Sequence, residues 1–100
     1  MFLVYSWQNI LGENMKYIIT EYIEKAMKKA IYDKLEDGTF AGRIPECVGV
    51  VSFGKTLAEC EIELRSTLEY WILLGLNMGH KLPVLGGINL NRIDAKVETS

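Results

Sequence analysis

Apolar residues recur at helical spacing in two separate segments of the chain. In residues 17–31 they fall three or four positions apart, at Ile19, Ile23, Ala26 and Ala30. After Thr56 a longer stripe follows, made of Leu57, Cys60, Leu64, Leu68 and Trp71, with Ile72 and Leu74 extending it. Such spacing places the apolar side chains on one face of a helix. The pattern therefore predicts a first amphipathic helix and a longer second one.

The second helix carries signals at both ends. Thr56 can accept a hydrogen bond from a free N–H group of the first turn, and Glu59 can reach back to the Thr56 N–H, which together form a capping box. Either Gly75 or Gly79 can end the helix in the left-handed conformation. We therefore expect this helix to begin after Thr56 and to end at one of these two glycines.

Between the helices the pattern changes to short runs bounded by turn residues. Residues 32–36 and 39–44 flank Asp37-Gly38, a dipeptide that tolerates the positive φ of a tight hairpin turn. Pro45 cannot donate to a β ladder and marks the end of the second run. Residues 48–53 are rich in β-branched residues. These runs predict three strands, of which the third is expected to be the most buried.

This order of elements predicts an α+β fold with two layers in the sequence α-β-β-β-α. The sheet has three antiparallel strands, and the helix after Thr56 packs on one of its faces, with the first helix beside it. One hundred residues form one domain, which we assign to residues 15–90. Residues 1–14 are a candidate extension, because Met15 could itself be a start. Residues 88–90 can add a short edge strand, and residues 91–100 are expected to fray.

Composition narrows the classes of function. The chain has 11 Lys and Arg against 13 Asp and Glu, a net charge of −2, so it has no general attraction to phosphate backbones. The apolar N-terminal run lacks the basic region of a signal peptide and is too short to span a bilayer. We expect a cytoplasmic protein without a membrane segment and without direct DNA binding.

No group of residues has the spacing of a catalytic or metal site. Cys47 and Cys60 form no CxxC or Cys/His arrangement and are expected to serve packing. His80 follows the predicted helix end, where a cation suits the helix dipole. A nuclease-like metal site would require several carboxylates to converge, and the candidates are Asp33, Glu36, Asp37 and Glu46. We therefore expect no enzymatic activity and no cofactor.

The stretch from Asp37 to Glu59 resembles the HicB-like antitoxins. That family has an Asp-Gly hairpin, an aromatic residue in the next strand, a Pro-Glu/Asp turn with glycine, a short strand, Gly-Asp-Thr and a helix that opens with leucine. The positions in register without a gap are Gly38, Phe40, Pro45, Glu46, Gly49, Ser52, Gly54, Thr56, Leu57 and Glu59. The departures are Val48, Val50, Lys55 and Ala58, where the family often has Pro, Cys, Asp and Glu. The resemblance covers about half of the chain, residues 30–76.

The resemblance implies a sheet with a helix on one face, similar to a degraded ribonuclease H or double-stranded-RNA-binding core. It also implies a non-enzymatic antitoxin that binds and masks a small basic mRNA interferase of the HicA type. The few residues after Gly79 imply the short form of the family, without a DNA-reading module. The acidic residues Glu36, Asp37 and Glu46 are then the expected partner interface.

Two alternatives remain open. The chain could be an orphan homo-oligomeric module without a toxin, with Tyr70, Trp71 and Leu73 beside the buried stripe as candidate dimer contacts. The first helix or a C-terminal strand could cover these side chains equally well. A nucleic-acid-binding domain is disfavoured, because residues 56–59 offer no lysine cluster to phosphates.

Overall fold

The computed structural model describes residues 18–91 of the chain. Its elements are α1, described over residues 18–28, then β1 (Ile31–Lys34), β2 (Phe40–Arg43), β3 (Val51–Gly54) and α2 (Leu57–Met78). The predicted α+β order, with a long helix packed against a three-stranded antiparallel sheet, is confirmed. The predicted extension (residues 1–14) and tail residues 92–100 lie outside the described residues.

The sheet is an antiparallel meander with the strand order β1-β2-β3. In its register Tyr32 lies opposite Gly42, and Gly42 lies opposite Ser52. Because side chains alternate along a strand, these residues share the inner face, which packs on α2. The opposite side, which we call the outer sheet face, consists of Ile31, Asp33, Leu35, Thr39, Ala41, Arg43, Val51 and Phe53.

The inner face allows α2 to approach the backbone of β3 closely. The Ser52 hydroxyl donates a hydrogen bond of 2.9 Å to the Cys60 carbonyl oxygen. A Cβ atom added to Gly54 would lie 2.4 Å from the Cys60 nitrogen, a distance that no side chain can adopt. Glycine at this position is therefore a requirement of the contact between sheet and helix.

The ends of α2 refine the prediction from sequence. The Glu59 N–H donates to Thr56 Oγ1 at 3.1 Å, as expected of a capping box. The Glu59 carboxylate, however, accepts from the Lys55 N–H at 3.1 Å and not from Thr56, so the reciprocal bond is shifted by one residue. Gly79, with φ of 71°, ends the helix. Gly75 lies inside the helix and makes room for Leu82.

The core lies between the two helices, the loops and the inner side of the sheet. Its buried side chains include Tyr22, Ile23 and Ala26 from α1, Ile44, Cys47 and Val50 from the β2–β3 connection, and Leu64, Leu68 and Ile72 from α2. A salt bridge of 3.0 Å between Arg65 and Glu24 also joins the helices. These contacts place α1 beside α2, as predicted.

Two predictions about burial are wrong. The third strand is not the most buried, since Val51 and Phe53 are 46% and 62% exposed and Val48, before the strand, is 85% exposed. The reason is that α2 covers only one face of the sheet. Leu57 and Leu74, assigned to the buried stripe, are also exposed, because they occupy the first turn and one flank of α2 and only the central stripe reaches the core.

Residues 82–91 form a loop that closes over the core in place of an edge strand. Leu85 and Ile88 make an isolated bridge, and the Asn91 side chain bonds both the nitrogen and the carbonyl oxygen of Leu82 at 2.9 Å. The Tyr22 hydroxyl donates to the Pro83 carbonyl oxygen at 2.7 Å. Hydrogen bonds therefore hold the loop in place, both within the loop and between the loop and α1.

Candidate functional site

The hairpin between β1 and β2 carries a fixed negative charge. The Asp37 carboxylate accepts hydrogen bonds from the Thr39 hydroxyl at 2.6 Å and from the Thr39 N–H at 3.0 Å. These bonds, the hydroxyl bond first, lower the pKa of Asp37 below its ordinary value. Gly38, with φ of 91°, provides the positive φ that the turn requires. Glu36 is exposed next to it, so two acidic side chains project from one end of the sheet.

Glu46 lies at the other end of the sheet. It belongs to the connection between β2 and β3, and its carboxylate is 3.7 Å from the Lys29 ammonium, with somewhat less than half of each side chain exposed. The hairpin and this connection are joined by β2, whose four residues span roughly 13 Å. The structure therefore does not bring Glu46 together with Glu36 and Asp37.

The four carboxylates considered for a metal site are also dispersed. Asp33 lies on the outer sheet face, Glu36 and Asp37 lie in the hairpin, and Glu46 lies at the opposite end. Within residues 18–91 no group of three or more His, Cys, Asp or Glu residues could hold a metal ion. None of the helices described in that range has the length and hydropathy of a membrane-spanning segment.

Both cysteines lie inside the packed structure. Cys47 and Cys60 are free thiols with no exposed surface. Burial, followed by the neighbouring Glu46 charge, raises the pKa of Cys47 to about 11, which keeps the thiol neutral and therefore weakly nucleophilic. His80 contributes through its backbone N–H, which donates to the Gly75 carbonyl oxygen at 2.8 Å as the helix ends.

The candidate dimer contacts on α2 are not equivalent. Tyr70 and Leu73 are 66% and 63% exposed, whereas Trp71 is half-buried and packs against the core. A groove of about 300 Å³ runs beside Leu73 between α1 and α2, and its lining consists of Ile19, Thr20, Ile23, Glu69, Ile72 and Leu73. Of the three residues, Tyr70 and Leu73 therefore expose most of their surface to solvent, and Trp71 does not.

The sequence interpretation missed the outer sheet face as a surface. The pattern predicts a buried strand at Val51 and Phe53, yet both side chains point away from α2. The small Ser52 between them was the available signal, because it marks the side of β3 on which a helix fits. Beside this strand a second groove, of about 460 Å³, is lined by Phe53, Gly54, Lys55, Glu59, Ile62 and Glu63.

Comparison with known proteins identifies the family. The UPF0150-like family model matches residues 21–83, a range that contains the whole stretch from Asp37 to Glu59. The crystal structure of TTHA0281 from Thermus thermophilus is similar, with a TM-score of 0.67 and 40% sequence identity over 72% of this chain and 90% of that chain. Among curated proteins none matches. The chain therefore belongs to the UPF0150-like family, also known as HicB-like.

Proposed function

We propose that this protein is a HicB-like antitoxin that binds and masks a small basic mRNA-interferase toxin. Membership of the UPF0150-like family over residues 21–83 is the observation that supports the proposal most directly. The role is that of a binding protein without chemistry of its own. Its partner is a protein whose basic surface must hold RNA phosphates.

The hairpin residues Glu36 and Asp37 are the proposed contact with the toxin. The Asp37 carboxylate is already held by Thr39, so little side-chain freedom remains to be lost on binding. Glu46 contributes less in this proposal, because Lys29 partly neutralises it. The acidic hairpin would occupy the same cations that the toxin uses for RNA, and antitoxin and RNA would then compete directly.

The test begins with the tagged protein purified from its own host at moderate salt. The expected result is a stoichiometric small basic protein, identified by mass spectrometry, whose RNase activity is absent in the complex and present after separation. If no such protein accompanies the chain and it elutes as a homo-oligomer, the antitoxin proposal is wrong.

Charge reversal then locates the interface. The double variant Glu36→Lys/Asp37→Lys is expected to slow association with the toxin at least about tenfold at low salt, with a smaller effect at high salt. Glu46→Lys should have a weaker effect. Glu21→Lys, the same charge change as Glu46→Lys but on the exposed side of α1, is the matched control for that single variant and should bind normally. Unchanged binding by all hairpin and turn variants would exclude this placement but not the antitoxin function.

The second candidate function is an orphan homo-oligomeric module without a toxin. The observation that favours it is the apolar surface that the described residues leave open, on the outer sheet face and at Tyr70 and Leu73 of α2. The purification described above separates the two candidates, because the orphan module would copurify with copies of itself alone.

A further inference from the structure

The groove between α1 and α2 is an apolar surface that residues 18–91 leave unfilled. Four of its six lining residues are apolar: Ile19, Ile23, Ile72 and Leu73. Leu73 exposes 63% of its surface there. The volume of about 300 Å³ lies at the lower limit of the roughly 300–1,000 Å³ that small-molecule pockets occupy. The groove therefore suits one or two large side chains of a polypeptide better than it suits a cofactor.

The polar groups of the groove restrict what can occupy it. They belong to Thr20 on α1 and Glu69 on α2, both exposed. A carboxylate accepts hydrogen bonds and donates none, and the two salt bridges among residues 18–91 use other carboxylates, those of Glu46 and Glu24. A suitable occupant is therefore apolar, carries no negative charge and offers an N–H or O–H donor to Glu69.

The chain itself contains a stretch of this composition. Residues 1–11, which we call the N-terminal segment, have the sequence MFLVYSWQNIL, with eight apolar or aromatic residues and no charge. Trp7 has both properties that the groove requires, since its indole ring is large and apolar and its ring N–H is a donor only. The N-terminal segment thus matches the groove in apolar character, in charge and in hydrogen bonding.

The position of the groove favours this segment over a separate molecule. The described part of α1 begins at residue 18, and Ile19 and Thr20 already line the groove, so the chain that precedes α1 starts beside it. A short tether holds a segment at an effective concentration of about 1 mM, whereas a separate partner must reach that concentration in solution. The connection to α1 therefore selects the N-terminal segment as the occupant.

The tether is also long enough. Residues 8–17 separate Trp7 from the described part of α1, and ten residues span at most about 36 Å. The groove runs along α1 from Ile19 to Ile23, which is only about 6 Å of helix. The tether includes Gly12 and Asn14, residue types that favour the turn needed to reverse the chain. Trp7 can therefore reach the groove without any change in α1.

We propose that the N-terminal segment binds in the groove between α1 and α2 of its own chain. The ring of Trp7 packs against Ile23 and Leu73, and its N–H donates to the Glu69 carboxylate. The bound segment covers Leu73 and thereby controls whether this side of α2 is available to another protein. The proposal does not depend on the antitoxin function, because the hairpin residues Glu36 and Asp37 belong to another part of the molecule.

Tryptophan fluorescence of the full chain tests the proposal. The chain has two tryptophans, so the variant Trp71→Phe leaves Trp7 as the sole reporter. Its acrylamide quenching constant should be at least about threefold lower than in the same variant unfolded in urea, because a segment that is bound most of the time shields its ring. In addition, Leu73→Glu, which places a second carboxylate beside Glu69, should raise the constant to the unfolded value.

Ile62→Glu is the matched control. Ile62 is as exposed on α2 as Leu73, at 67% against 63%, but it lines two other grooves and not this one. The control should therefore leave Trp7 protected. Circular dichroism verifies the fold of each variant. Should Trp71→Phe fail to fold, the wild-type chain labelled with 5-fluorotryptophan gives separate ¹⁹F signals for the two rings, and Trp7→Phe assigns them.

Three results would overturn the proposal. Trp7 as open to acrylamide in the folded chain as in urea would show that the segment does not bind. Protection that survives Leu73→Glu, or that Ile62→Glu removes, would place the ring elsewhere. Protection that grows with protein concentration would show that the groove receives the segment of a second copy, because binding within one chain is independent of concentration.

Discussion

On β3 the two faces of the sheet differ in a way that reverses the usual relation between side-chain size and burial. The inner face presents Gly42, Ser52 and Gly54 to α2, whereas the outer face presents Ile31, Val51 and Phe53 without cover from the described residues. Small residues allow the backbone of α2 to approach the strands closely. On β3, therefore, small side chains identify the covered face and large apolar ones the open face.

The difference also explains where the large buried side chains are found. Because Gly42, Ser52 and Gly54 are small, the part of the inner face that they form supplies little apolar volume of its own, and Tyr32 is the large inner-face side chain that packs against the core. The volume comes from α1, α2 and the loops, in residues such as Tyr22, Leu68 and Leu90, all with no exposed surface. The sheet supports α2 on one side, and much of the core lies beyond the sheet, between the helices and the loops.

The largest expected effect comes from Gly54→Ala on the inner face. The added Cβ would lie 2.4 Å from the Cys60 nitrogen and 2.8 Å from its Cα, so the backbone of α2 must move. We expect the free energy of unfolding to fall by at least about 2 kcal/mol, as for other overpacked sites, measured by urea denaturation in dilute solution. Ala41→Ser on the outer face is the control and should stay within about 0.5 kcal/mol. Equal values for both variants would contradict the difference between the faces.

Alkaline pH should weaken the core that adjoins the inner face. Burial raises the pKa of Cys47 from 9.0 to about 11 and also raises that of Tyr22. The folded protein thus favours the neutral groups. The stabilisation from Cys47 is complete below its unfolded pKa and is lost as the pH rises through about 11, whereas that from Tyr22 is lost at higher pH. The urea midpoint should fall between about pH 8 and 11, and Cys47→Ala should reduce the slope. A midpoint independent of pH in the wild-type protein would show that neither group changes its environment on unfolding.

Adjacent residues of β3 allow the two faces of the sheet to be compared within a single strand. Ser52→Ala removes the hydroxyl that donates to the Cys60 carbonyl oxygen at 2.9 Å and should cost about 1 kcal/mol of unfolding free energy. Val51→Thr, one position away on the outer face, should change it by less than about 0.5 kcal/mol. The same denaturation experiment in dilute solution measures both. A larger loss for Val51→Thr would indicate that the outer face is covered within the monomer.

The smallest effect on the free energy of unfolding is expected for Tyr32→Phe, and any change should be an increase. The Tyr32 hydroxyl is buried without a hydrogen-bond partner among the described residues, and burial, followed by the Glu61 charge, raises its pKa. Removal of an unsatisfied hydroxyl should leave the unfolding free energy unchanged or raise it by up to about 1 kcal/mol. A loss of stability would indicate a partner for this hydroxyl outside residues 18–91.

Much of the fold was predictable because its signals are local. The Asp37-Gly38 turn, the break at Pro45 and the Thr56 cap each act within a few residues, and each lies where the sequence indicated. Burial was less predictable, because it depends on which side of β3 receives α2. Val51 and Phe53 are typical of a buried strand in isolation, and only the contact of Ser52 and Gly54 with Cys60 decides that they face outward.

The candidate site was predictable in part for the same reason. The charge of the hairpin follows from Glu36 and Asp37 themselves, and the bond from Thr39 that fixes Asp37 is local. The separation of Glu46 from that hairpin depends on the register of β2, and its pairing with Lys29 depends on where α1 packs. The presence of Asp33 and Arg43 on the same face of the sheet becomes visible only when the two strands are aligned.

The hydrogen bond from Tyr22 to the Pro83 carbonyl oxygen joins residues 61 positions apart and has a consequence for biosynthesis. The hairpins need only neighbouring segments and can form early. The ring of Tyr22 cannot reach its final position until the ribosome has released Pro83 and the loop behind it. Since domains fold as units during translation, the nascent chain completes its core only after residues 82–91 have left the ribosome, and until then α1 remains open to chaperones and proteases.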